Sequence, residues 1–168
     1  MLKTRLLHPE ILAALGEAGH GAQVLIADGN YPLATRSSLT ARRVFLNLAP
    51  GMLSVTDVLA VLLAAIPVES ADAMTADDGV EPQIHGEFRA LLPGAPLRTH
   101  PRADFYEMAR GREVALAIST GEERLYANLL LTIGVVTPAA EPAGNGGAMA
   151  APAPLAARPA PGERWTRA

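Results

Sequence analysis

Short apolar runs alternate along the chain with segments that have helical spacing or helix-start signals. The apolar runs have strand length and cover 23–27, 43–48, 68–74, 114–119 and 129–136. The helical segments between them cover 8–19, 54–65, 82–92 and 101–110. Such alternation predicts one α/β domain with a mostly parallel sheet that is flanked by helices.

Local signals mark the ends of the first helix and the first strand. Pro9 suits the first turn of a helix, and Gly19 suits a left-handed residue at its end. The apolar run from Gln23 to Ala27 then predicts a buried strand, and the Gly-Asn-Tyr-Pro sequence after Asp28 predicts a turn.

The composition changes after Pro138. From there to the end the chain consists mostly of Ala, Pro and Gly, with few large apolar residues before Trp165. Such a segment cannot bury enough apolar surface to offset the entropy of ordering it. We therefore predict a domain over residues 1–138 and a disordered tail over residues 139–168.

Charge and composition narrow the class of protein. The net charge of -3 argues against a nucleic-acid binder, and 49% hydrophobic residues suffice for a substantial core. With no cysteine, disulfides and thiolate chemistry are excluded. The start of the chain lacks the apolar core of a signal peptide, and the run from Val58 to Val68 is too short to span a bilayer. We therefore expect a cytoplasmic protein that does not interact with membranes.

His20 and Asp28 are the first candidates for chemistry. His20 follows a helix end, whose partial negative charge favours the imidazolium, and glycines on both sides leave room for a ligand. A surface or helix-capping histidine is the alternative. Asp28 follows a strand, and ligands of open α/β sheets bind beyond the carboxyl ends of strands. It could equally be a turn residue that accepts a backbone hydrogen bond.

Three further residues could hold a ligand. Tyr126 and Asn128 offer a phenol and a carboxamide, and in an extended segment both would point the same way. A purely structural role is the alternative for this pair. Arg102 stands near a helix start, where its charge is unfavourable, which suggests recruitment by a ligand or partner. A solvated surface arginine remains the simpler interpretation.

Several common kinds of site are missing from the sequence. No two histidines have a metal-binding spacing such as His-x-x-x-His, so we expect no metal. The segment Gly19-His20-Gly21 lacks the third glycine of a dinucleotide loop and does not follow a strand. Together these absences predict a protein that works without a cofactor.

Eight short motifs follow one another along residues 1–138. They are Met1-Leu2-Lys3-Thr4, Pro9-Glu10-Ile11-Leu12, Gly19-His20-Gly21, Ala27-Asp28-Gly29-Asn30-Tyr31-Pro32, Phe105-Tyr106-Glu107, Thr120-Gly121-Glu122, Tyr126-Ala127-Asn128 and Gly134-Val135. In this order they resemble the ribose pyranase/fucose mutarotase (RbsD/FucU) family.

The resemblance implies an isomerase that interconverts anomers or ring forms of a free monosaccharide. His20 matches the proton donor of the family, and Asp28 matches an acid that binds the sugar. Tyr126 and Asn128 match the downstream binding motif, and Arg102 matches a binding position that is Arg in the fucose branch and His in the ribose branch. The resemblance also implies a ring-like homo-oligomer in which a neighbouring subunit completes the sugar site.

The sequence mixes features of the two branches. Its start and Arg102 resemble the fucose branch, whereas Tyr126-Ala127-Asn128 and the segment 67–71 resemble the ribose branch. The segment 33–40 and the tail match neither. The sugar, fucose-like or ribose, therefore stays open.

Two other functions remain compatible with the sequence. One is a non-catalytic sugar-binding or transport-accessory protein with the same pocket. The other is an interaction protein whose Ala/Pro-rich tail recruits a partner, in which case deleting the residues after Pro138 would abolish function.

Overall fold

The computed structural model describes residues 2–137, which form five helices and six strands. The predicted boundary at residue 138 and the predicted tail lie outside the described residues. The helices are α1 (Pro9–Glu17), α2 (Leu33–Arg36), α3 (Val55–Leu62), α4 (Ile84–Leu91) and α5 (Arg102–Ala109). The strands are β1 (Gln23–Ala27), β2 (Arg42–Phe45), β3 (Val68–Met74), β4 (Leu97–His100), β5 (Val114–Ser119) and β6 (Leu129–Ile133).

The strands form one mixed sheet in the order β2-β5-β1-β6-β3-β4. Strand β1 is parallel to β5, β5 to β2, and β3 to β4, whereas β6 is antiparallel to both of its neighbours, β1 and β3. Five of the six strands therefore run in one direction, as the predicted mostly parallel sheet requires. We call the end where these five strands finish the carboxyl end of the sheet, and the opposite end the amino end.

Helices cover both faces of the sheet, because strand residues alternate between two apolar layers. Val24 and Ile26 of β1 pack in the larger layer with α1, α3 and α4. Leu25 and Ala27 face the other way and pack with α2 and α5, where Phe105 is fully buried. The flanked α/β sheet predicted from the alternation is thus confirmed.

Capping interactions explain where two helices begin. The His8 imidazole accepts a hydrogen bond from the backbone amide of Ile11 at the start of α1. At α3, Ser54 and Asp57 form a reciprocal capping box, which satisfies backbone amides that a helix start leaves free. These contacts set the boundaries that the sequence signals indicate.

The structure corrects several details of the sequence-based prediction. Helix α1 ends at Glu17, and the left-handed glycine after it is Gly21 (φ 82°), not Gly19. Strand β2 is shorter than predicted and β6 ends at Ile133. Helix α2 and strand β4 were not predicted, because each has four residues with a single large apolar side chain, Leu33 or Leu97, and therefore shows no period. Within residues 2–137 no helix is long and apolar enough to cross a membrane.

Candidate functional site

Four of the five predicted site residues line one cavity at the carboxyl end of the sheet. The cavity has a volume of about 250 Å³, and we call it the site cavity. Its lining combines the ends of β1 and β3, the start of α5 and the loop before β6. The lining residues are Asp28, Asn30, Tyr31, Met74, Arg102, Tyr106, Leu125, Tyr126 and Asn128.

Asp28 and Asn128 are joined by two reciprocal hydrogen bonds. The Asn128 carboxamide nitrogen donates to Asp28 Oδ2 at 2.8 Å, and its oxygen accepts from the Asp28 backbone amide at 3.0 Å. Both residues are 3% exposed. The sheet topology explains this contact. Because β6 is antiparallel to β1, Asn128, which precedes β6, lies close to Asp28, which follows β1.

The Asp28 carboxylate is buried and lines the site cavity. Its Oδ1 accepts from the backbone amide of Asn30 at 3.0 Å, so the turn role predicted as an alternative holds together with the site role. Burial raises the pKa of the Asp28 carboxyl, while the hydrogen bonds from Asn30 and Asn128 oppose that rise. A carboxylate accepts hydrogen bonds through both of its oxygens, so Asp28 can accept from hydroxyl groups of a ligand in the cavity.

Tyr126 reaches the cavity by a backbone conformation that the sequence did not indicate. The prediction placed Tyr126 and Asn128 on one face of an extended segment. Tyr126 instead has a left-handed backbone (φ 59°) within a turn, which is uncommon for a residue other than glycine. Both side chains still line the same cavity. The predicted convergence is therefore present, although its geometric reason was wrong.

Arg102 lies at the mouth of the site cavity as the first residue of α5. Its guanidinium forms an ion pair with Asp77, in the loop that follows β3. Both side chains are about half exposed. The arginine is therefore neither free in solvent nor buried, and its remaining N–H groups can donate to a ligand.

Aromatic side chains that the sequence analysis did not select form one wall of the cavity. Tyr31 and Tyr106 pack edge to face with ring centroids 5.4 Å apart. The Tyr31 hydroxyl donates to the backbone carbonyl of Arg36 at 2.8 Å, and burial raises its pKa, so it stays protonated. This wall gives the polar cavity one apolar side, as is usual for small-molecule sites.

His85 lies behind the cavity wall, within α4. It is 1% exposed, and among the described residues only its two ring nitrogens are buried side-chain polar atoms with no hydrogen-bond partner. Burial lowers the pKa of His85, more than the nearby Glu81 carboxylate raises it, and the backbones of Met74 and Tyr126 lie close to the ring. A neutral imidazole therefore lies against the backbone of Met74 and Tyr126, two residues that line the site cavity.

His20 lies away from the other predicted site residues. It precedes β1 whereas Asp28 follows it, and the five residues of β1 span about 17 Å. His20 is thus at the amino end of the sheet and does not line the site cavity. There its Nε2 lies 2.8 Å from Oε2 of Glu69, and the two side chains are 58% and 56% exposed.

Glu69 and Asp77 contact predicted site residues but were not themselves predicted as site residues. Glu69 is the second residue of β3, and Asp77 lies in the loop after β3. Neither has a sequence signal that separates it from an ordinary surface carboxylate. Only the pairing of β3 with β6 and β4 shows which groups they meet.

A larger groove of about 410 Å³ lies beside the site cavity and shares only Asn30 with it. Loop residues 47–50 and 120–123 form most of its lining. Its acid Glu122 is engaged by Arg124 and by the Val55 amide at the start of α3, and the Arg124 guanidinium lowers its pKa. None of the predicted site residues lines this groove. Within residues 2–137 no group of three or more His, Asp or Glu is placed to hold a metal ion.

Comparison with known proteins connects this arrangement to one family. The family model described as the RbsD / FucU transport protein family matches residues 1–136. The chain belongs to the RbsD/FucU family. A D-ribose pyranase from Laribacter hongkongensis is 31% identical over 136 residues, which cover 81% of this chain and 99% of the relative. The resemblance found in the sequence motifs is thereby confirmed.

Two solved structures of RbsD/FucU proteins contain sugars. Bacillus subtilis RbsD, complexed with D-ribose, superposes with a TM-score of 0.70 at 26% identity, covering 82% of this chain and all of that one. The fucose mutarotase from Streptococcus pneumoniae, in complex with L-fucose, gives 0.69 at 28% identity, with the same coverage. The names pyranase and mutarotase denote sugar isomerases, and this RbsD/FucU chain is an isomerase.

Proposed function

We propose that this RbsD/FucU protein interconverts anomers or ring forms of a free monosaccharide by general acid–base catalysis, without a cofactor. The observation that carries the proposal is the convergence of Asp28, Arg102, Tyr126 and Asn128 on one cavity. The cavity, about 250 Å³, lies just below the roughly 300–1,000 Å³ typical of small-molecule pockets, which suits a small ligand. Relatives bound to D-ribose and to L-fucose support a monosaccharide.

The reaction needs only proton transfer. Opening a hemiacetal ring requires a proton at the ring oxygen as its bond to the anomeric carbon breaks. The anomeric hydroxyl loses its proton as the carbonyl forms. Closure on the opposite face of that carbonyl reverses both transfers, so atoms and electrons balance without an oxidant or a phosphate. Positioned acid–base groups contribute about 10²–10⁴-fold to such reactions.

The polar groups of the cavity suit different parts of a sugar. The Asp28 carboxylate accepts hydrogen bonds from sugar hydroxyls, while the carboxamide of Asn128 holds the carboxylate in place. Tyr126 supplies a phenol at the rim. Arg102 donates from the mouth of the cavity and sets the choice of sugar.

We infer that His20, the proton-transfer group, acts on sugar bound to a different copy of the chain. Within one copy His20 and the site cavity lie at opposite ends of β1. The exposed imidazole is available to a neighbour, and the site cavity opens at the surface. A homo-oligomer that brings the amino end of one sheet to the carboxyl end of another would complete the site.

Saturation-transfer NMR of anomeric protons tests the proposal with L-fucose and D-ribose as substrates. The parent protein should exchange anomers of at least one sugar faster than the spontaneous rate, and H20A should lose that acceleration. H8S is the matched control, because it removes the imidazole at the other end of α1 while serine keeps a helix-capping oxygen.

Three results would contradict the proposal. Saturable sugar binding without faster exchange would indicate a binding protein instead of an enzyme. A folded H20A protein as fast as the parent would remove His20 from the chemistry. Loss of activity on deletion of residues 139–168 would assign function to the tail, whereas we expect the domain 1–138 to suffice.

A further inference from the structure

A buried carboxylate outside the site cavity connects strand β3 to strand β4. Asp72 of β3 is buried, and within residues 2–137 the hydrogen bonds to its side chain all come from β4. Arg98 donates from Nε to Oδ1 at 2.8 Å and from Nη2 to Oδ2 at 2.9 Å. The Nε2 atom of His100 lies 2.7 Å from Oδ1. Because a carboxylate only accepts, His100 carries its proton on Nε2 and donates it to this contact.

Strand β4 depends on such a connection because it is short and lies at the edge of the sheet. It has four residues, and among the described strands it pairs with β3 alone. Edge strands leave one row of backbone groups without a partner strand. At its end, the Thr75 amide donates to the His100 carbonyl at 2.8 Å. Both the backbone and the side chain of His100 are therefore held from β3.

The end of β4 leads directly to the mouth of the site cavity. Only Pro101 separates His100 from Arg102, the first residue of α5. Among the described residues no side chain caps the start of this helix. Met74, which pairs with His100, also lines the cavity. The place of Arg102 at the cavity mouth therefore depends on where the end of β4 is held.

The stability of the fold does not by itself account for a carboxylate at this position. Removing a carboxylate from water is costly, and well-packed apolar side chains of similar volume are often as stabilising as a buried ion pair. Leu130, which pairs with Asp72 from β6, belongs to an apolar layer. A charged acceptor adds directional hydrogen bonds, which fix the geometry of the edge strand.

We propose that Asp72 and His100 are positioning residues for Arg102. The hydrogen bond from His100 to the buried carboxylate holds the end of β4, and so holds the Arg102 backbone where the guanidinium reaches a sugar. The ion pair with Asp77 acts on the guanidinium itself. His100 does not line the cavity, so its contact affects sugar affinity and not proton transfer.

This inference rests on the proposed role of Arg102, and kinetics with L-fucose and D-ribose test it. H100A removes the donor, and we expect KM for the preferred sugar to rise about threefold to fivefold, with kcat within about twofold. D72A removes the acceptor and should raise KM by a similar factor. H100Q keeps a side-chain N–H with about the reach of Nε2, and we expect it to recover most of the loss.

R98A provides the matched control. It removes two hydrogen bonds from the same carboxylate, two residues before His100, and leaves the His100 contact in place. We expect R98A to lower the midpoint of chemical denaturation at least as far as H100A does, yet to keep KM for both sugars within about twofold. An R98A protein whose KM rises as much as that of H100A would show that KM follows the stability of β4 and not the position of Arg102.

A double-mutant cycle tests whether His100 acts through Arg102. We expect H100A to raise KM in the parent but to add nothing in the R102A background, because the guanidinium that it positions is then missing. Independent effects would multiply in the double variant, and that result would overturn the positioning role.

Two further outcomes would overturn this role while leaving the proposed function intact. One is an H100A protein that keeps the parent KM although R102A raises it. The other is an H100Q protein as impaired as H100A, which would show that a donor to Asp72 is not what matters. An R102A protein with the parent KM for both sugars would instead contradict the proposed role of Arg102, and the positioning role would fall with it.

Discussion

At the carboxyl end of the sheet, Asp28 and Asn128 are buried and joined by two reciprocal hydrogen bonds. At the amino end, by contrast, His20 and Glu69 are exposed and joined by a single contact. The first pair belongs to a cavity that a single copy forms by itself. The second pair is exposed and does not line the site cavity. In our proposal, one copy therefore contributes a preformed binding cavity and a separate acid–base group.

The two roles that we propose, sugar binding and proton transfer, have different structural requirements. A binding pocket gains affinity when its polar groups are held before the ligand arrives, because less ordering entropy is lost on binding. A proton-transfer group can be held by the assembly, provided that the assembly places it at the reacting atoms. In our proposal, oligomerisation brings the amino end of the sheet in one copy to the carboxyl end of the sheet in another copy.

Mixing two inactive variants should have the largest effect. It tests whether the cavity of one copy and His20 of another copy act on the same sugar. H20A lacks the imidazole and D28A lacks the buried carboxylate, so each should be inactive alone. In mixed oligomers assembled from equal amounts, about a quarter of shared sites combine an intact cavity with an intact His20. We expect anomer exchange to recover to roughly that fraction, measured by saturation-transfer NMR.

The same experiment contains its own control. Mixing after assembly, without subunit exchange, should give no recovery. Absence of recovery in oligomers shown to be mixed would mean that the two ends do not act on one sugar.

Removing the carboxamide at the carboxyl end should have the next largest effect. N128A leaves the buried Asp28 amide without its acceptor and removes the side-chain donor to the carboxylate, so we expect a loss of about 2–4 kcal/mol in unfolding free energy and a sugar Kd raised at least about 10-fold. Calorimetric titration with D-ribose and L-fucose and chemical denaturation measure both. N47A, which alters the neighbouring groove, should leave the sugar Kd unchanged.

Arg102 tests whether the mouth of the cavity selects the sugar. We expect R102A to raise KM about 10-fold for the preferred sugar, with a smaller change for the other, because a charged donor to a hydroxyl is lost. D77N frees the guanidinium and should change KM by less than about threefold. R110A, at the residue that follows α5 and paired with Glu107, is the control. Equal loss for both sugars would exclude a role in selection.

The smallest effect should come from protonation of His85, which lies behind the cavity wall, as the pH is lowered. The unfolded chain protonates His85 near its ordinary pKa of 6.5, whereas burial holds the folded pKa lower. Between these values the unfolded state binds more protons, so unfolding free energy should fall as pH falls below about 6.5. H85L should lessen that slope in denaturation curves measured from pH 7 to 5. An unchanged slope would show that His85 is not the group concerned.

Much of the fold could be predicted from the sequence because its signals are local. Apolar runs of strand length, Pro9 at a helix start and the Ser54–Asp57 capping box act over a few residues. Helix α2 and strand β4 were not predicted because each is short and contains only one large apolar residue. The antiparallel direction of β6 also escaped, since direction depends on pairing between distant segments.

For the site, the sequence by itself determined the chemical groups: a histidine flanked by glycines, an acid after a strand, and the Tyr126–Asn128 pair. Only the tertiary structure decided which of them meet. The antiparallel β6 brings Asn128 to Asp28, and the left-handed turn brings Tyr126 to the same cavity. The register shift between β3 and β6 at Glu69 places this carboxylate beside His20. The physical reason is that side-chain chemistry is a property of each residue, whereas pairing register and strand direction are set by burial of the whole sheet.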